Sequence, residues 1–296
     1  MSKHTVGPWA KDKLDRLREY LSAYTTIMST QPWCQGFHYI DAFAGPGSHV
    51  VRHRRSSDSL ESLINEAADF ARTDPGQREF LAGSPRVALE IDPPFSTYVF
   101  VEKSEERAAA LESLEREYPG RQIRVRRTDC NSYLRQLVTK SPKAWKLNRA
   151  IVFLDPFGMQ VPWETIELLA KSQAIEIFVN FPVGMAIQRL LLRSGEFTGA
   201  QRRKLDEYLG SAEWYEVLYS RRRTLFGDDD VEKVEASGKK LVKWYQGRLK
   251  AIFGHVSRTA LIRNTKGGHL YYLILASPKA TAKKIADHVL SAGEYV

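Results

Sequence analysis

The sequence of 296 residues contains two cysteines, Cys34 and Cys130, which are too few for a disulfide framework or for a zinc site of their own. It also lacks the ~18 consecutive apolar residues that a membrane-spanning helix needs. Residues 1–9 contain no apolar core of a signal peptide. These absences argue against a disulfide-rich secreted domain and an integral membrane protein. They predict a soluble cytoplasmic protein with no metal site and no membrane partner.

The sequence has fewer acidic than basic residues. It contains 35 Asp and Glu and 44 Lys and Arg, which gives a net charge of +9. A positive surface gains free energy from counterion release when it binds phosphates, so nucleic acid is the expected partner. The stretch 115–149 is especially basic, with 10 Lys or Arg against 3 acidic residues, a net charge of +7. Two explanations stay open for this stretch: phosphate binding, or charged side chains such as Arg124, Arg126 and Arg127 that protect an edge strand from aggregation.

Apolar runs that alternate with helical spacing predict an α/β protein. Helices are predicted over 9–31, with Leu14, Leu17, Leu21 and Tyr24 on one face, and over 104–118. The predicted strands are 37–43, 97–101, 123–125, 150–154 and 174–181, followed by a hairpin of 256–263 and 270–275. Continuous apolar runs such as 150–154 are typical of parallel strands that are covered on both faces.

The spacing of these elements predicts one domain over 1–296 with two additions. Residues 41 and 102 are farther apart than the about 30 residues of a bare strand–helix–strand unit. An insertion is therefore expected over 48–96, between strands one and two. A helical insertion or lid is expected over about 185–250, and a closing hairpin over 256–276.

Four predicted strands end in an acidic residue: Asp41, Glu102, Asp129 and Asp155. Ligands of parallel sheets bind at the carboxyl ends of the strands, so these residues are candidate site residues. Carboxylates near a core are costly unless a ligand or a donor satisfies them. A carboxylate at Glu102 can accept both hydroxyl hydrogens of a ribose, or it can instead favour the dipole of the next helix. Asp129 has a competing explanation as a helix N-cap.

The run Asp41-Ala42-Phe43-Ala44-Gly45-Pro46-Gly47 resembles the first motif of class I S-adenosylmethionine (SAM) methyltransferases. Glycine there lets the backbone approach a cofactor, although strand-to-helix turns also need glycine for geometry alone. The resemblance implies a cofactor site for SAM. Its residues would be Asp41, Phe43, Ala44, Gly45 and Gly47 at the methionine end, Glu102 and Lys103 at the ribose, and Asp129 and Cys130 at the adenine.

Asp155-Pro156-Phe157-Gly158 resembles the Asp/Asn-Pro-Pro-Tyr/Phe motif of amino-methyltransferases, and its Asp-Pro-Phe-Gly form resembles that of tRNA guanine-N2 methyltransferases. In such enzymes a carboxylate and a proline carbonyl accept the hydrogens of the target amine. The resemblance implies catalytic roles for Asp155, Pro156 and Phe157, with Phe157 stacking on an extruded base. The alternative is a strand that ends in a turn, with Phe157 in the core. Asn180-Phe181-Pro182 is assigned only a lining role.

Together with 83–89 and 100–103, the stretches 39–47 and 153–158 resemble the three-Cys-motif partner family, TcmP. The resemblance covers most of 9–185 and implies a class I methyltransferase fold. That fold is Rossmann-like, with a seven-stranded, mostly parallel sheet that contains one antiparallel strand. It also implies a metalloprotein partner with a three-cysteine motif. Phe157 and Gly158 depart from the usual second proline and aromatic residue.

Two functions follow. The first is a SAM-dependent methyltransferase that acts on an exocyclic amine of a base in RNA or DNA. The second is a non-catalytic subunit of the same fold that binds nucleic acid or the metalloprotein partner. A nicotinamide-dependent dehydrogenase is weaker, because the third glycine of its motif is missing. The candidate nucleic-acid contacts are Arg52, Arg54, Arg55, Arg202, Arg203 and Lys204.

Overall fold

The computed structural model describes residues 8–45, 83–223, 229–263 and 267–291. The strands are β1 (Gly36–Asp41), β2 (Thr97–Val101), β3 (Ile123–Arg126), β4 (Asn148–Leu154), β5 (Ile175–Phe181), β6 (Tyr219–Arg223), β7 (Asp229–Lys233), β8 (His255–Val256), β9 (Ala260–Arg263) and β10 (His269–Ser277). The helices are α1 (Pro8–Ser29), α2 (83–89), α3 (Glu105–Glu112), α4 (Leu114–Glu117), α5 (Cys130–Thr139), α6 (Trp163–Lys171), α7 (Gln188–Leu190), α8 (Gly199–Leu209), α9 (Trp214–Leu218), α10 (Ser237–Phe253) and α11 (Ala280–Val289). A 3-10 turn covers Pro142–Lys146 and a π-helical turn covers Val183–Ile187.

The main sheet has the order β3-β2-β1-β4-β5-β10-β8, and β9 also pairs with β10. The neighbours from β3 to β5 are parallel, whereas β10 runs antiparallel to β5, β8 and β9. The prediction of a mostly parallel sheet with an antiparallel strand is confirmed, but the described residues form a sheet of eight strands where seven are predicted, because the closing segment contributes β8, β9 and β10. After β3 the chain returns to the other side of β1, and such a reversal opens a crevice at the carboxyl ends of β1 and β4.

Apolar side chains cover both faces of this sheet. Helices α1, α2 and α11 pack on one face, where the apolar stripe of α1 contributes Leu17 and Leu21. Helices α5, α6 and α10 pack on the other face, through residues such as Leu134 and Ile166. All residues of β5 are buried, as expected for a strand that is covered on both sides.

The structure corrects two predicted elements. The predicted strand 256–263 is divided into β8 and β9, because the buried Ser257 hydroxyl accepts a hydrogen bond from the Leu275 amide at 3.0 Å and interrupts the pairing. The predicted helix 104–118 is divided into α3 and α4 at Ser113, whose hydroxyl donates to the Ala110 carbonyl at 2.7 Å. Serine hydroxyls compete in this way with regular backbone pairing.

The predicted helical region 185–250 contains α7 to α10, but it also contains the hairpin β6–β7. Three consecutive arginines in β6 hide the alternation that marks a strand, so the hairpin was not predicted. Of the predicted insertion 48–96, residues 48–82 lie outside the described residues, and 83–89 form α2. Across the described ranges, the helices are all too short or too polar to cross a bilayer.

Candidate active site

Asp41 ends β1 in the interior of the protein, with no exposed surface. The Tyr39 hydroxyl donates to Asp41 Oδ2 at 3.3 Å, and the Phe43 amide donates to Oδ1 at 3.2 Å. Burial raises the pKa of Asp41 to about 7, while the hydrogen bond with Ser84 acts in the opposite direction. The charge of Asp155 raises it further, so these two carboxyl groups are electrostatic neighbours.

The turn after β1 brings bare backbone to the crevice. Phe43 is half-buried, whereas Ala44 and Gly45 are buried. Gly45 has a φ of +64°, in the left-handed region that a residue with a side chain rarely adopts. The predicted contact Gly47 lies outside the described residues.

Glu102 follows β2 directly, and its side chain is 7% exposed. The Ser104 amide at 2.8 Å and the Arg107 guanidinium at 3.0 Å both contact Oε1. Among the described residues no side chain or amide contacts Oε2, so this oxygen is open to a hydroxyl donor of a ligand. The neighbouring Lys103 is exposed.

Asp129 is the N-cap of α5, where its Oδ1 accepts from the Ser132 amide at 3.0 Å. This contact is the capping role that the sequence left open, and Asp129 stays exposed beside it. Cys130 begins the helix and is buried. Burial raises the pKa of its thiol to about 12, so the thiol is protonated at neutral pH and is a poor nucleophile.

Asp155 follows β4 and is buried, with 2% of its surface exposed. Lys13 of α1 contacts its Oδ1 with Nζ at 2.8 Å, and the Asn180 amide of β5 donates to the same oxygen at 2.5 Å. Burial lowers the pKa of Lys13 to about 7, although the carboxylates of Asp155 and Asp41 oppose this shift.

Two buried acceptors remain in this cluster. Asp155 Oδ2 and Asn180 Oδ1 have no hydrogen-bond partner among the described residues. Buried polar atoms of this kind are rare in native proteins, so a pair of them on side chains that contact each other indicates a place for a donor. The amide of Asn180 is also fixed in orientation, because its nitrogen already donates to Asp155.

The remaining predicted residues of this motif are less exposed than expected. Pro156 is buried, and Phe157 is half-buried against the apolar cluster that α1 covers. The Phe157 amide donates to Gln160 Oε1 at 2.9 Å, which fixes the turn. The ring therefore belongs in part to the core, as the alternative interpretation expected.

The sequence left open whether a ligand or a donor of the protein satisfies the acidic strand ends. The protein supplies its own donors at each of these positions, namely Phe43 at Asp41, Ser104 at Glu102, Ser132 at Asp129 and Lys13 at Asp155. Three acceptor oxygens have no donor among the described residues and can accept a hydrogen bond from a ligand: Glu102 Oε2, Asp155 Oδ2 and Asn180 Oδ1.

Two of the three predicted nucleic-acid contacts on α8 already interact with other side chains of the protein. The Arg202 guanidinium lies over the Tyr215 ring at 4.7 Å, and Lys204 forms an ion pair with Glu207 at 3.4 Å. Arg203 lies next to them on the same helix. The other predicted contacts, Arg52, Arg54 and Arg55, lie outside the described residues.

The fold is similar to that of protein LPL1258 from Legionella pneumophila, a family-model DUF519 protein, at 14% identity over 97% of this chain and 92% of that chain, with a TM-score of 0.51. At this identity the likeness shows the fold alone. A DhpI–SAH complex (12% identity, 94% and 100% of the two chains, TM-score 0.28) is too distant to support a conclusion. The same holds for the N-terminal domain of EvdMO1 with SAH bound (14%, 94% and 99%, TM-score 0.32). The sequence matches no protein-family model and no curated protein.

Sequence reasoning missed Lys13 and gave Asn180 no chemical role. The signal for Lys13 was present, because it shares a helical face with Leu17, Tyr20 and Tyr24, which are all buried. A lysine in an apolar stripe needs a buried partner, and the carboxylate at the end of β4 provides it.

Proposed function

We propose that this protein is a SAM-dependent N-methyltransferase whose target is an exocyclic amine of a base in RNA or DNA. The observation that carries this proposal is the pair of buried acceptors, Asp155 Oδ2 and Asn180 Oδ1, which have no partner among the described residues. Asp155 follows β4 and Asn180 is the second-last residue of β5, next to the crevice beside β1. An amine with two hydrogens is a donor that matches two acceptors.

The other strand ends fit the cofactor. Glu102 Oε2 is open to a ribose hydroxyl, and the turn at Gly45 exposes backbone beside Asp41. Because the pKa of Asp41 is raised to about 7, a ligand with a positively charged amino group favours its ionised form. When bound, SAM supplies the methyl group, whose bond to sulfur breaks as the bond to nitrogen forms.

Asp155 and Asn180 orient the amine in this proposal. Two acceptors draw its hydrogens to one side, so the nitrogen lone pair points away from them. Lys13 and the Asn180 amide hold Asp155 Oδ1, whereas Oδ2 has no partner among the described residues and can accept from the amine. The proton that the amine loses can be held at Asp155 Oδ2. The half-buried ring of Phe157 stacks on the ring of the base in this proposal.

The proposed target class rests on charge. The net charge of +9 favours a polyanion, and a base that reacts at a buried carboxylate has to leave its stack. A separate candidate is a non-catalytic subunit that binds nucleic acid or a metalloprotein with a three-cysteine motif. The burial of Asp155 under Lys13 favours this second candidate, because the lysine covers the carboxylate that catalysis requires.

A calorimetric titration with SAM and with NAD tests the cofactor. We expect SAM to bind and NAD to give no heat. The variant Glu102→Gln should weaken SAM binding about tenfold or more, because a charged acceptor of a hydroxyl is replaced by a neutral one. Glu105→Gln is the matched control, since Glu105 is 87% exposed at the start of α3. Heat from NAD but not from SAM would contradict the proposal.

A further inference from the structure

A groove lies between the sheet and helix α5 with the 3-10 turn that follows it, and its lining reaches Thr128, next to Asp129. Its volume is about 640 Å³, which is within the range of ligand sites. Its floor is formed by His38, Ile40, Thr97 and Val99 of β1 and β2. They lie on the face of the sheet that α5 covers, and Ile40 directly precedes Asp41, so the groove extends as far as the residue before the candidate active site.

Basic side chains line both walls of the groove. The register of the sheet places Arg124 in one row with Val99 and Ile40, so its side chain is on the groove face of β3. Arg126 follows on the same face, about 6.6 Å farther along the strand. Lys140, at the end of α5, contributes a third cation to the lining. Within the described part of the chain, the lining contains no acidic side chain.

The cations differ in how far they are already neutralised. Arg127 lies at the rim and is paired with Glu112 at 2.8 Å and with Glu105 at 3.5 Å. Arg124 and Lys140 are exposed, and their side chains form no ion pair with any described residue. Arg126 donates only to the Val125 carbonyl, at 3.3 Å. Three cations are therefore available to an anion.

Aromatic side chains add a second kind of contact. Tyr133 of α5 is half-buried in the wall, so part of its ring faces the groove. Trp145 closes the wall farther along, and its Nε1 donates to the Leu137 carbonyl at 3.2 Å, which fixes the indole. Cations that hold phosphates and rings that stack on bases are the two elements of sites for single-stranded nucleic acid.

We propose that this groove binds a single-stranded segment of the nucleic acid, with its phosphates on Arg124, Arg126 and Lys140 and a base against Tyr133. The inference rests on the proposed function in that it takes the substrate to be RNA or DNA. Edge protection explains charge on β3, which is the edge strand of the sheet, but it does not explain Lys140 or the aromatic wall on the opposite side.

The test measures the affinity of the full chain for a labelled oligouridylate of about 12 nucleotides at about 50 and about 200 mM salt. The double variant Arg124→Gln/Arg126→Gln should bind about tenfold more weakly or worse, and the slope of log affinity against log salt should become shallower by about 1.4. Tyr133→Leu should weaken binding about fivefold or more.

Two controls separate the groove from general loss of charge. Arg127→Gln removes a cation that carboxylates already neutralise, and Lys250→Gln removes an exposed cation on α10, outside the groove. Each should change affinity about twofold or less. Circular dichroism checks that every variant is folded.

The groove is rejected if the double variant binds as tightly as the parent with the same slope, or if the parent binds no oligonucleotide at about 50 mM salt. Competition by uridine monophosphate at a concentration similar to that of the oligonucleotide would also reject it, in favour of a small-molecule site. Methyl transfer measured on the same variants separates the two proposals. If the double variant binds the oligonucleotide like the parent and still transfers methyl groups, only the groove proposal is overturned. If the parent binds the oligonucleotide in the groove but transfers no methyl group, only the proposed function is overturned.

Discussion

Lys13 Nζ lies 2.8 Å from Asp155 Oδ1, although the two residues are 142 positions apart in the chain. Both side chains are buried, so the pair is removed from water. An ion pair in this environment gives little net stability, but the loss of one partner leaves an uncompensated charge. Helix α1 is thus tied to the end of β4 at the carboxyl group on which the proposed chemistry depends.

A double-mutant cycle tests this coupling. Lys13→Met keeps the length of the side chain but leaves the Asp155 carboxylate buried without its cation, so we expect a loss of about 3 kcal/mol in the free energy of unfolding. The double variant Lys13→Met/Asp155→Asn removes both charges and should recover most of that loss. Urea unfolding of the parent, both single variants and the double variant provides the values. Additive effects would show that the two residues are not coupled.

Asn180→Leu removes the second acceptor and keeps a similar volume at a buried position. We expect methyl transfer to fall about 100-fold, because one well-placed polar contact in the transition state is lost. The affinity for SAM should stay unchanged, since Asn180 belongs to β5 and the proposed cofactor contacts follow β1, β2 and β3. Single-turnover rates and calorimetry measure the two quantities. An equal loss of both would assign Asn180 to the cofactor site instead.

Glu176 should make stability depend on pH. It is buried in β5, and burial raises its pKa to about 7. Its folded pKa lies above its unfolded value of 4.5, so its contribution is complete below about pH 4.5 and is lost as the pH rises through about 7. Between these pH values the free energy of unfolding of the parent should decline. The decline should be about 2–3 kcal/mol smaller in Glu176→Gln, because glutamine does not ionise.

Chemical denaturation of both proteins at about pH 5 and about pH 7 measures this difference. The glutamine can keep the hydrogen bond that Tyr20 makes with Glu176 Oε2 at 2.5 Å. The pKa of Asp41 is also raised, so Asp41 contributes a decline of the same sign. Glu176→Gln should therefore still lose some stability as the pH rises from about 5 to about 7. The same decline in parent and variant would show that Glu176 ionises in the folded protein as it does in solution.

Two glycines should respond oppositely to alanine. A Cβ at Gly184 would lie 1.8 Å from the His269 carbonyl oxygen, so Gly184→Ala requires the π-helical turn and β10 to separate and should cost about 2 kcal/mol or more. A Cβ at Gly247 meets nothing within 4 Å inside α10, so Gly247→Ala should stabilise the protein by up to about 1 kcal/mol. Thermal unfolding compares the two. Similar effects of both changes would contradict the close contact at β10.

The main sheet could be predicted because its parallel strands are covered on both faces. A continuous apolar run such as that of β4 is a strong local signal, and the turn signals after it fix where the strand ends. The division at Ser257 could not be predicted, since it depends on a hydrogen bond with Leu275, 18 residues away. The arginines of β6 concealed a strand for the opposite reason, because they show no apolar period.

The strand-end carboxylates could be predicted from their positions, but their partners could not. The partner of Asp155 is on a helix near the start of the chain, and only tertiary packing brings Lys13 to it. The sequence predicts only a lining role for Asn180, because it does not show which way an amide points. The hydrogen bond from its nitrogen to Asp155 supplies that orientation and leaves its oxygen free among the described residues.

Methyl transfer from labelled SAM to total cellular RNA and DNA decides whether this protein is a methyltransferase of nucleic acid, with the parent and Asp155→Asn compared at equal SAM affinity. We expect the parent to label nucleic acid and the variant to do so about 10²–10³-fold more slowly, because the amide nitrogen offers a donor where Oδ2 accepts. The proposed function is contradicted if the variant transfers label as fast as the parent, or if the parent binds SAM and labels neither RNA nor DNA.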